Sequence, residues 1–178
     1  MTVLRQETDA DSAAIDALIL AGFGATHHQR NIWRLRLGPP LRQLCFVIAE
    51  TEAVSANGNL LASIRYWPVT IAGLPSLLLG PLAVQPALRG KGLGRQLVSH
   101  TLEQARRGAW PLCFISGEPG YYERFGFEKI AAGEIILPAP IEPERLHLLV
   151  LKPEILLAMP EKPWPILAET GNRQGIVA

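Results

Sequence analysis

The chain has 178 residues, of which 48% are hydrophobic and 19% are charged, and its formal net charge is +1. This composition excludes a disordered chain, and the length is sufficient to bury one full core. A net charge this close to zero gives no reason to expect nucleic acid or a membrane surface as partner. No apolar run reaches the ~18 residues of a membrane span and no signal peptide follows Met1, so we expect a cytoplasmic protein.

The predicted elements of the first half are a strand at 3–6, helices at 13–21 and 28–37, and strands at 44–49, 60–71 and 77–84. Thr8 and Asp11 have the spacing of a capping box before the first helix. Asn57-Gly58 is a hairpin-turn signal, and Pro68 is expected to interrupt the strand that follows it. The spacing of these strands predicts an antiparallel meander.

The predicted elements of the second half are a helix at 93–107, a strand at 111–116, a short helical segment at 119–124, strands near 127–130 or 134–137, and a strand at 146–151. The strand–helix–strand spacing around the helix at 93–107 indicates a βαβ crossover, so its two strands should be parallel. Four prolines after residue 152 favour an irregular tail over 153–178. We therefore expect a single mixed α/β domain over 1–178.

The two cysteines and four histidines give no sign of a metal site. Cys45 and Cys113 each lie within an apolar run, which is typical of buried free thiols. Neither belongs to a CxxC pattern or lies at ligand spacing from a histidine. We predict neither a metal nor a disulfide.

The stretch Leu77–Gly94 carries the clearest chemical signal. A buried strand leads through a loop with three glycines into an amphipathic helix that begins at Leu93. A helix N-terminus binds anions through its free amides, and glycine allows a ligand to approach the backbone closely. The loop also carries three basic residues, Arg89, Lys91 and Arg95, which suit a pyrophosphate. The alternative is a loop that only turns the chain and leaves its basic residues in solvent.

Two motifs in this region resemble those of one known family. Residues Arg89–Gly94 are similar to the pyrophosphate loop of the GNAT-type N-acetyltransferase superfamily, whose pattern is Gln/Arg-x-x-Gly-x-Gly/Ala. Tyr122–Phe127 matches the Tyr-x-x-x-Gly-Phe segment of the same family, in the same order. The resemblance is strongest over 77–127. It implies a mostly antiparallel sheet with one central parallel crossover, splayed fourth and fifth strands, and acetyl-CoA as co-substrate without a metal.

The resemblance also implies which residues contact acetyl-CoA. Pro81 cannot donate a hydrogen bond within a sheet, so a disturbed strand is expected at Gly80-Pro81. This would free nearby amides for the pantetheine arm and the thioester carbonyl. The expected contacts are the backbone of Leu82, Ala83 and Val84 and the loop residues Arg89, Gly90, Lys91, Gly92, Leu93, Gly94 and Arg95.

Tyr122 occupies the position where this family usually carries the general acid that protonates the departing thiolate, with Tyr121 as the alternative phenol. The general base is less clear, because no acidic residue lies within 76–84. Glu118 is the candidate, while Glu50, Glu52 or a chain of water molecules are the alternatives. At the start of the segment after the fifth strand, where many members of the family carry an asparagine, this chain has Ser116-Gly117-Glu118-Pro119. This departure concerns the contacts with the pantetheine arm.

The acceptor is expected to be a primary amine of a small molecule or a peptide, attacking the thioester directly in a ternary complex. The alternative is a catalytically inactive acyl-CoA-binding module with a regulatory role. The apolar C-terminal strands are compatible with a homodimer. The candidates for lining the acceptor side are Arg30, Trp33, Arg34, Arg36, Tyr66 and Trp67.

Overall fold

The computed structural model describes residues 1–51 and 59–169. Its two α-helices are α1 (Ser12–Phe23) and α2 (Leu93–Arg107). Its strands are β1 (Thr2–Gln6), β2 (Phe46–Glu50), β3 (Leu60–Ile71), β4 (Leu74–Val84), β5 (Leu112–Ser116), β6 (Glu128–Lys129), β7 (Ile135–Ile136), β8 (Leu146–Val150) and β9 (Trp164–Ala168). Short 3-10 helices connect several of them. None of the helices within these ranges combines the length and apolarity needed to cross a bilayer.

The chain forms two compact units, each assembled from separate stretches of sequence. The first comprises the described residues of Met1–Gln29, Leu41–Tyr66 and Gly80–Gln104. Its strands are adjacent in the order β1, β2, β3 and β4, and β1 pairs antiparallel with β2. One face of α1 is buried against this sheet, because Ile15, Leu18 and Ile19 pack with apolar residues of the strands.

The second unit comprises the described residues of Arg30–Pro40, Trp67–Leu79 and Ala105–Ala178. Here β4 pairs in parallel with β5, joining Leu77 to Cys113 and Leu78 to Phe114. The opposite edge of β5 pairs antiparallel with β8, which in turn pairs with β6. The end of β3 pairs antiparallel with β9. A core that includes Trp67, Phe114 and Trp164 fills this unit.

The architecture confirms the expected fold class, a mixed α/β sheet that is mostly antiparallel and contains the parallel pair β4–β5. The short strand β7 also pairs in parallel, with β9. The βαβ crossover is present, since α2 connects the parallel strands β4 and β5. Helix α2 has the predicted bounds, and its buried side chains Leu97, Val98 and Leu102 lie on the predicted face. The splaying of β4 and β5 beyond their two paired positions stays a prediction.

Two expectations about prolines are wrong. Strand β3 continues through Pro68. The last residue pair between β3 and β9 is Val69 with Ala168, and Pro68 lies one residue beyond it. The missing N–H of Pro68 therefore removes no hydrogen bond between these two strands. The tail over 153–178 is not irregular throughout, since β9 is a strand within it. In β9, the buried residues Trp164 and Ile166 alternate with exposed neighbours, as expected for a strand. The surrounding prolines make this alternation hard to recognise in the sequence.

Other boundaries differ in detail. The helical piece expected at 28–37 is two 3-10 helices, His27–Gln29 and Asn31–Leu35. Both alternative strands after residue 126 form, each with two residues. The Thr8–Asp11 capping box is present, with the Thr8 N–H donating to the Asp11 carboxylate at 2.8 Å. The turn expected at Asn57-Gly58 and the last nine residues of the tail lie outside the described residues.

Candidate functional site

The glycine-rich loop before α2 has the backbone conformation that its sequence predicts. Gly90 and Gly92 have φ angles of +79° and +88°, a region that side-chain-bearing residues rarely adopt. A Cβ atom built at either position would meet no atom within 4 Å. Glycine is therefore required at these two positions by the backbone conformation and not by contact with neighbouring atoms. The space above the loop is open.

The start of α2 offers unused hydrogen-bond donors. The first amide bond into the helix runs from Gln96 N–H to the Gly92 carbonyl, at 2.9 Å. The amides of Leu93, Gly94 and Arg95 precede that bond and have no acceptor among the described residues. These donors lie at the positive end of the helix dipole.

Three basic side chains surround these donors. Arg89, Lys91 and Arg95 are all exposed, while Gly94 is buried within the first turn of α2. The predicted loop residues are thus brought together at one helix end. Free amides together with exposed cations form a site suited to a diphosphate.

The end of β4 supplies a second set of donors in the same unit. The Gln85 N–H donates to the Leu61 carbonyl of β3 at 2.9 Å, which fixes the direction of this amide. Successive amides of a strand point to opposite sides, so the Ala83 amide also faces β3. The amides of Leu82 and Val84 face the other way. By this argument, two of the three amides expected to contact the co-substrate are oriented away from β3.

Tyr122 is held in place by aromatic and backbone packing in the second unit. It directly precedes the 3-10 helix Glu123–Phe125, and only 6% of its surface is exposed. Its ring makes an edge contact with Phe127 at a centroid distance of 5.7 Å. Burial raises the pKa of the Tyr122 phenol above its ordinary value, although Arg36 and Arg145 act in the opposite direction. The phenol therefore keeps its proton at neutral pH.

The glycine at the end of β5 explains the departure at Ser116-Gly117. A Cβ atom at Gly117 would overlap the ring of Tyr122. The Gly117 N–H donates to the Arg145 carbonyl at 2.9 Å, which fixes this backbone. An asparagine would not fit at Gly117 while Tyr122 keeps this position. Sequence reasoning noted the departure but missed its cause, which lies five residues further on.

The candidate bases are exposed. Glu118 is 78% exposed and pairs with Arg145 at 3.2 Å. Glu50 is also exposed and accepts a hydrogen bond from the Asn59 amide at 3.2 Å. Glu52 lies outside the described residues. Tyr121, the alternative phenol, makes an edge contact with the ring of Tyr122 at 4.9 Å.

The six candidates for the acceptor side separate into different environments. Tyr66 is fully buried, and its hydroxyl pairs with the Thr101 hydroxyl at 2.8 Å, so it has no surface for a ligand. Arg30 and Arg34 are exposed.

The other three candidates lie together. The Arg36 guanidinium lies 4.4 Å from the ring centroid of Trp33 and 5.7 Å from that of Trp67. Sequence reasoning named Arg36 among six candidates but did not distinguish it from the exposed Arg30 and Arg34. The distinguishing signal is its spacing of three from Trp33, since the Arg36 N–H closes the last 3-10 turn by donating to the Trp33 carbonyl at 3.0 Å.

Cysteine and metal chemistry have no visible place in this site. Cys45 and Cys113 are buried free thiols. Burial raises the pKa of Cys45 to about 12 and that of Cys113 above its ordinary value, so neither is a ready nucleophile. Within residues 1–51 and 59–169, we find no group of three or more side chains that could hold a metal ion.

Comparisons with known proteins agree with these features. The family model described as an acetyltransferase (GNAT) domain matches residues 42–129. The N-acetyltransferase YhbS of Escherichia coli K12 is 30% identical over 131 residues, which cover 72% of this chain and 75% of YhbS.

Solved structures agree as well. The crystal structure of Escherichia coli YhbS in complex with CoA has a TM-score of 0.72 and 25% identity, covering 98% of this chain and 93% of that one. A GNAT family acetyltransferase from Brucella melitensis, solved with acetyl-CoA, has a TM-score of 0.63 and 27% identity, covering 92% and 94%. Sequence motifs, fold and relatives thus agree: the chain belongs to the GNAT family of N-acetyltransferases.

Proposed function

We propose that this acetyltransferase moves an acetyl group from acetyl-CoA to a primary amine of a small molecule or peptide, by direct attack in a ternary complex. The observation that carries the proposal is the loop before α2, where unpartnered amides, left-handed glycines and three cations occur together. The relatives from Escherichia coli and Brucella melitensis bind CoA and acetyl-CoA, which supports the same co-substrate here.

The proposal gives a role to the loop before α2, to the end of β4 and to Tyr122. The loop Arg89–Arg95 binds the pyrophosphate, and the amides of Leu82 and Val84 donate to the thioester carbonyl and stabilise its developing negative charge. The amine nitrogen forms a bond to the carbonyl carbon, and the carbon–sulfur bond breaks. Tyr122 gives its phenolic proton to the departing thiolate.

The amine must lose a proton before or during its attack. We propose that Glu118 accepts this proton, directly or through water. Its exposure and its ion pair with Arg145 favour a relay through solvent over a buried base. An ammonium loses two protons in becoming an amide N–H. One is released to solvent by way of Glu118, and the other restores the phenol of Tyr122 after that phenol has protonated the thiolate.

A thermal-shift titration with acetyl-CoA tests the binding step. We expect acetyl-CoA to raise the melting temperature of the wild-type protein, and Gly92→Val to abolish this shift because valine disfavours the left-handed conformation and blocks the backbone. Gly73→Val is the matched control, since Gly73 has a φ of +81° and equally open surroundings but lies in the β3–β4 turn. Equal shifts in the two variants would contradict the assignment of the loop.

Release of free thiol in the presence of a panel of primary amines tests the transfer step. Turnover with at least one amine would support the proposed reaction. Stabilisation by acetyl-CoA without turnover of any amine would instead favour the inactive acyl-CoA-binding module. Absence of both would reject the proposal.

A further inference from the structure

Arg36 is a partly buried cation that has no counter-ion among the described residues. Its Nε atom is buried and has no hydrogen-bond partner among the described residues. No carboxylate in the described part of the chain forms an ion pair with it. Arg65 differs from Arg36, because the Arg65 side chain is 13% exposed and makes two hydrogen bonds to Glu7, at 2.9 and 2.6 Å. A buried N–H of a charged group that has no acceptor costs stability, and a ligand that supplies the acceptor would offset this cost.

The two aromatic neighbours of Arg36 compensate for only part of this cost. Its guanidinium lies 4.4 Å from the centroid of Trp33 and 5.7 Å from that of Trp67. Such cation–π contacts are favourable, but they occupy the faces of the guanidinium and leave its N–H edge unused. Burial lowers the pKa of Arg36 to about 9, so the side chain is still charged at neutral pH.

The segment that carries Arg36 is held in place. The Trp67 indole N–H donates to the Gly38 carbonyl at 3.1 Å, and the Asn31 side-chain amide donates to the Pro140 carbonyl at 2.6 Å. Between them, the side chain of Leu35 is buried in the core of the second unit. The guanidinium is therefore presented on a fixed backbone, which reduces the entropy that binding a ligand would cost.

Arg36 also lies within electrostatic range of Tyr122, the proposed general acid. The two groups act on each other's pKa, and Arg36 lowers that of Tyr122. The pyrophosphate of acetyl-CoA has its own cations at Arg89, Lys91 and Arg95. The Arg36 cation, within electrostatic range of the proposed acid, is thus available to the other substrate. It would repel an acceptor with only positive charges and attract one that also carries an anion.

We infer that Arg36, supported by Trp33 and Trp67, binds an anionic group, a carboxylate or a phosphate, on the amine that accepts the acetyl group. The inference rests on the proposed acetyl transfer to an amine. It names the class of acceptor as an amine with a second, negatively charged group. The fork of N–H donors on a guanidinium matches both oxyanions.

Matched pairs of acceptors test this inference. β-Alanine is compared with propylamine for the carboxylate, and O-phosphoethanolamine with ethanolamine for the phosphate. We expect the wild-type enzyme to prefer the anionic member of at least one pair by about tenfold or more in kcat/KM. The pair with the larger preference identifies the anion.

Arg36→Met should lower kcat/KM for the preferred anionic amine by about 100-fold. The kcat/KM for the neutral amine of the same pair and the KM for acetyl-CoA should stay near their wild-type values. Arg36→Lys, which keeps the charge but not the fork, should retain part of the preference. Arg106→Met, at an exposed arginine of the same unit, is the control. Equal losses for both members of a pair, or a loss confined to the KM for acetyl-CoA, would overturn the inference.

A binding measurement without acetyl-CoA separates the inference from the proposed reaction. Titration of the wild-type protein with β-alanine and O-phosphoethanolamine should change tryptophan fluorescence, because Trp33 and Trp67 contact Arg36. Arg36→Met should lose this change. If no amine is acetylated but the titration still depends on Arg36, the proposed function fails and the anion site stands. No change in the wild-type protein overturns the anion site.

Discussion

The ring of Tyr122 lies against the backbone of Gly117, so closely that no side chain fits at residue 117 without moving the ring. The contact joins the end of β5 to the residue proposed as general acid. The edge contact with Phe127 holds the ring from another direction. The orientation of the phenol is thus determined by packing and not by its own rotamer preference.

Gly117→Ala should displace or strain the ring of Tyr122. We expect a loss of about 1–3 kcal/mol in the free energy of unfolding, as for other overpacked sites, together with a lower kcat. Urea denaturation measures the first and thiol release the second. Gly22→Ala is the stability control, because a Cβ atom there would have only an ordinary contact at 3.5 Å.

A double-mutant cycle tests whether the stability lost in Gly117→Ala comes from contact with the Tyr122 ring. In a Tyr122→Leu background, Gly117→Ala should cost much less stability, because the smaller side chain leaves room for the new methyl group. Additive losses would show that the glycine is needed for a reason unrelated to Tyr122.

Tyr122→Phe should lower kcat by about 100-fold or more, because the departing thiolate would lose its proton donor, while the KM for acetyl-CoA should change little. Since burial raises the pKa of the phenol, the wild-type enzyme should show no loss of its acid between pH 7 and the ordinary phenol pKa of about 10. A pH–rate profile of both enzymes with one acceptor measures this.

The same assay on Tyr121→Phe decides between the two phenols. A large loss of kcat in Tyr121→Phe, with wild-type rates in Tyr122→Phe, would transfer the role to Tyr121. Wild-type rates in both variants over the whole pH range would mean that neither phenol is the acid.

Asp11→Asn should destabilise the protein at neutral pH. The Asp11 carboxylate is buried and accepts two hydrogen bonds from Arg5, both at 2.7 Å, and further bonds from Thr8. These bonds, led by those from Arg5, lower the pKa of Asp11 from 3.8 to about 2. The shift corresponds to about 2 kcal/mol of stability, present above pH ~4 and lost as the pH falls towards ~2.

The difference in unfolding free energy between wild type and Asp11→Asn should therefore shrink as the pH falls below ~4, as measured by urea denaturation at several pH values. Asp9→Asn is the matched control, since Asp9 pairs with Arg42 on the exposed surface. Such exposed pairs contribute at most about 1 kcal/mol. A constant difference across the pH range would contradict the assigned role of Asp11.

Prediction from the sequence succeeded where local rules apply. The bounds of α2, the capping box at Thr8–Asp11 and the left-handed glycines of the loop depend on neighbours within a few residues. It failed at β9, where pairing with β3 about a hundred residues away outweighs the local effect of several prolines. Pairing partners so distant in the chain leave no local signal.

The sequence by itself determined the family, the fold class and the loop before α2, because these follow from short motifs and from hydrophobic periodicity. Only the tertiary structure decided which of six acceptor candidates lie together, why residue 117 is a glycine, and that Arg36 has no counter-ion within 1–51 and 59–169. These facts depend on packing between segments that are separate in the chain. Burial and the absence of a partner are properties of a three-dimensional environment, which no stretch of sequence contains.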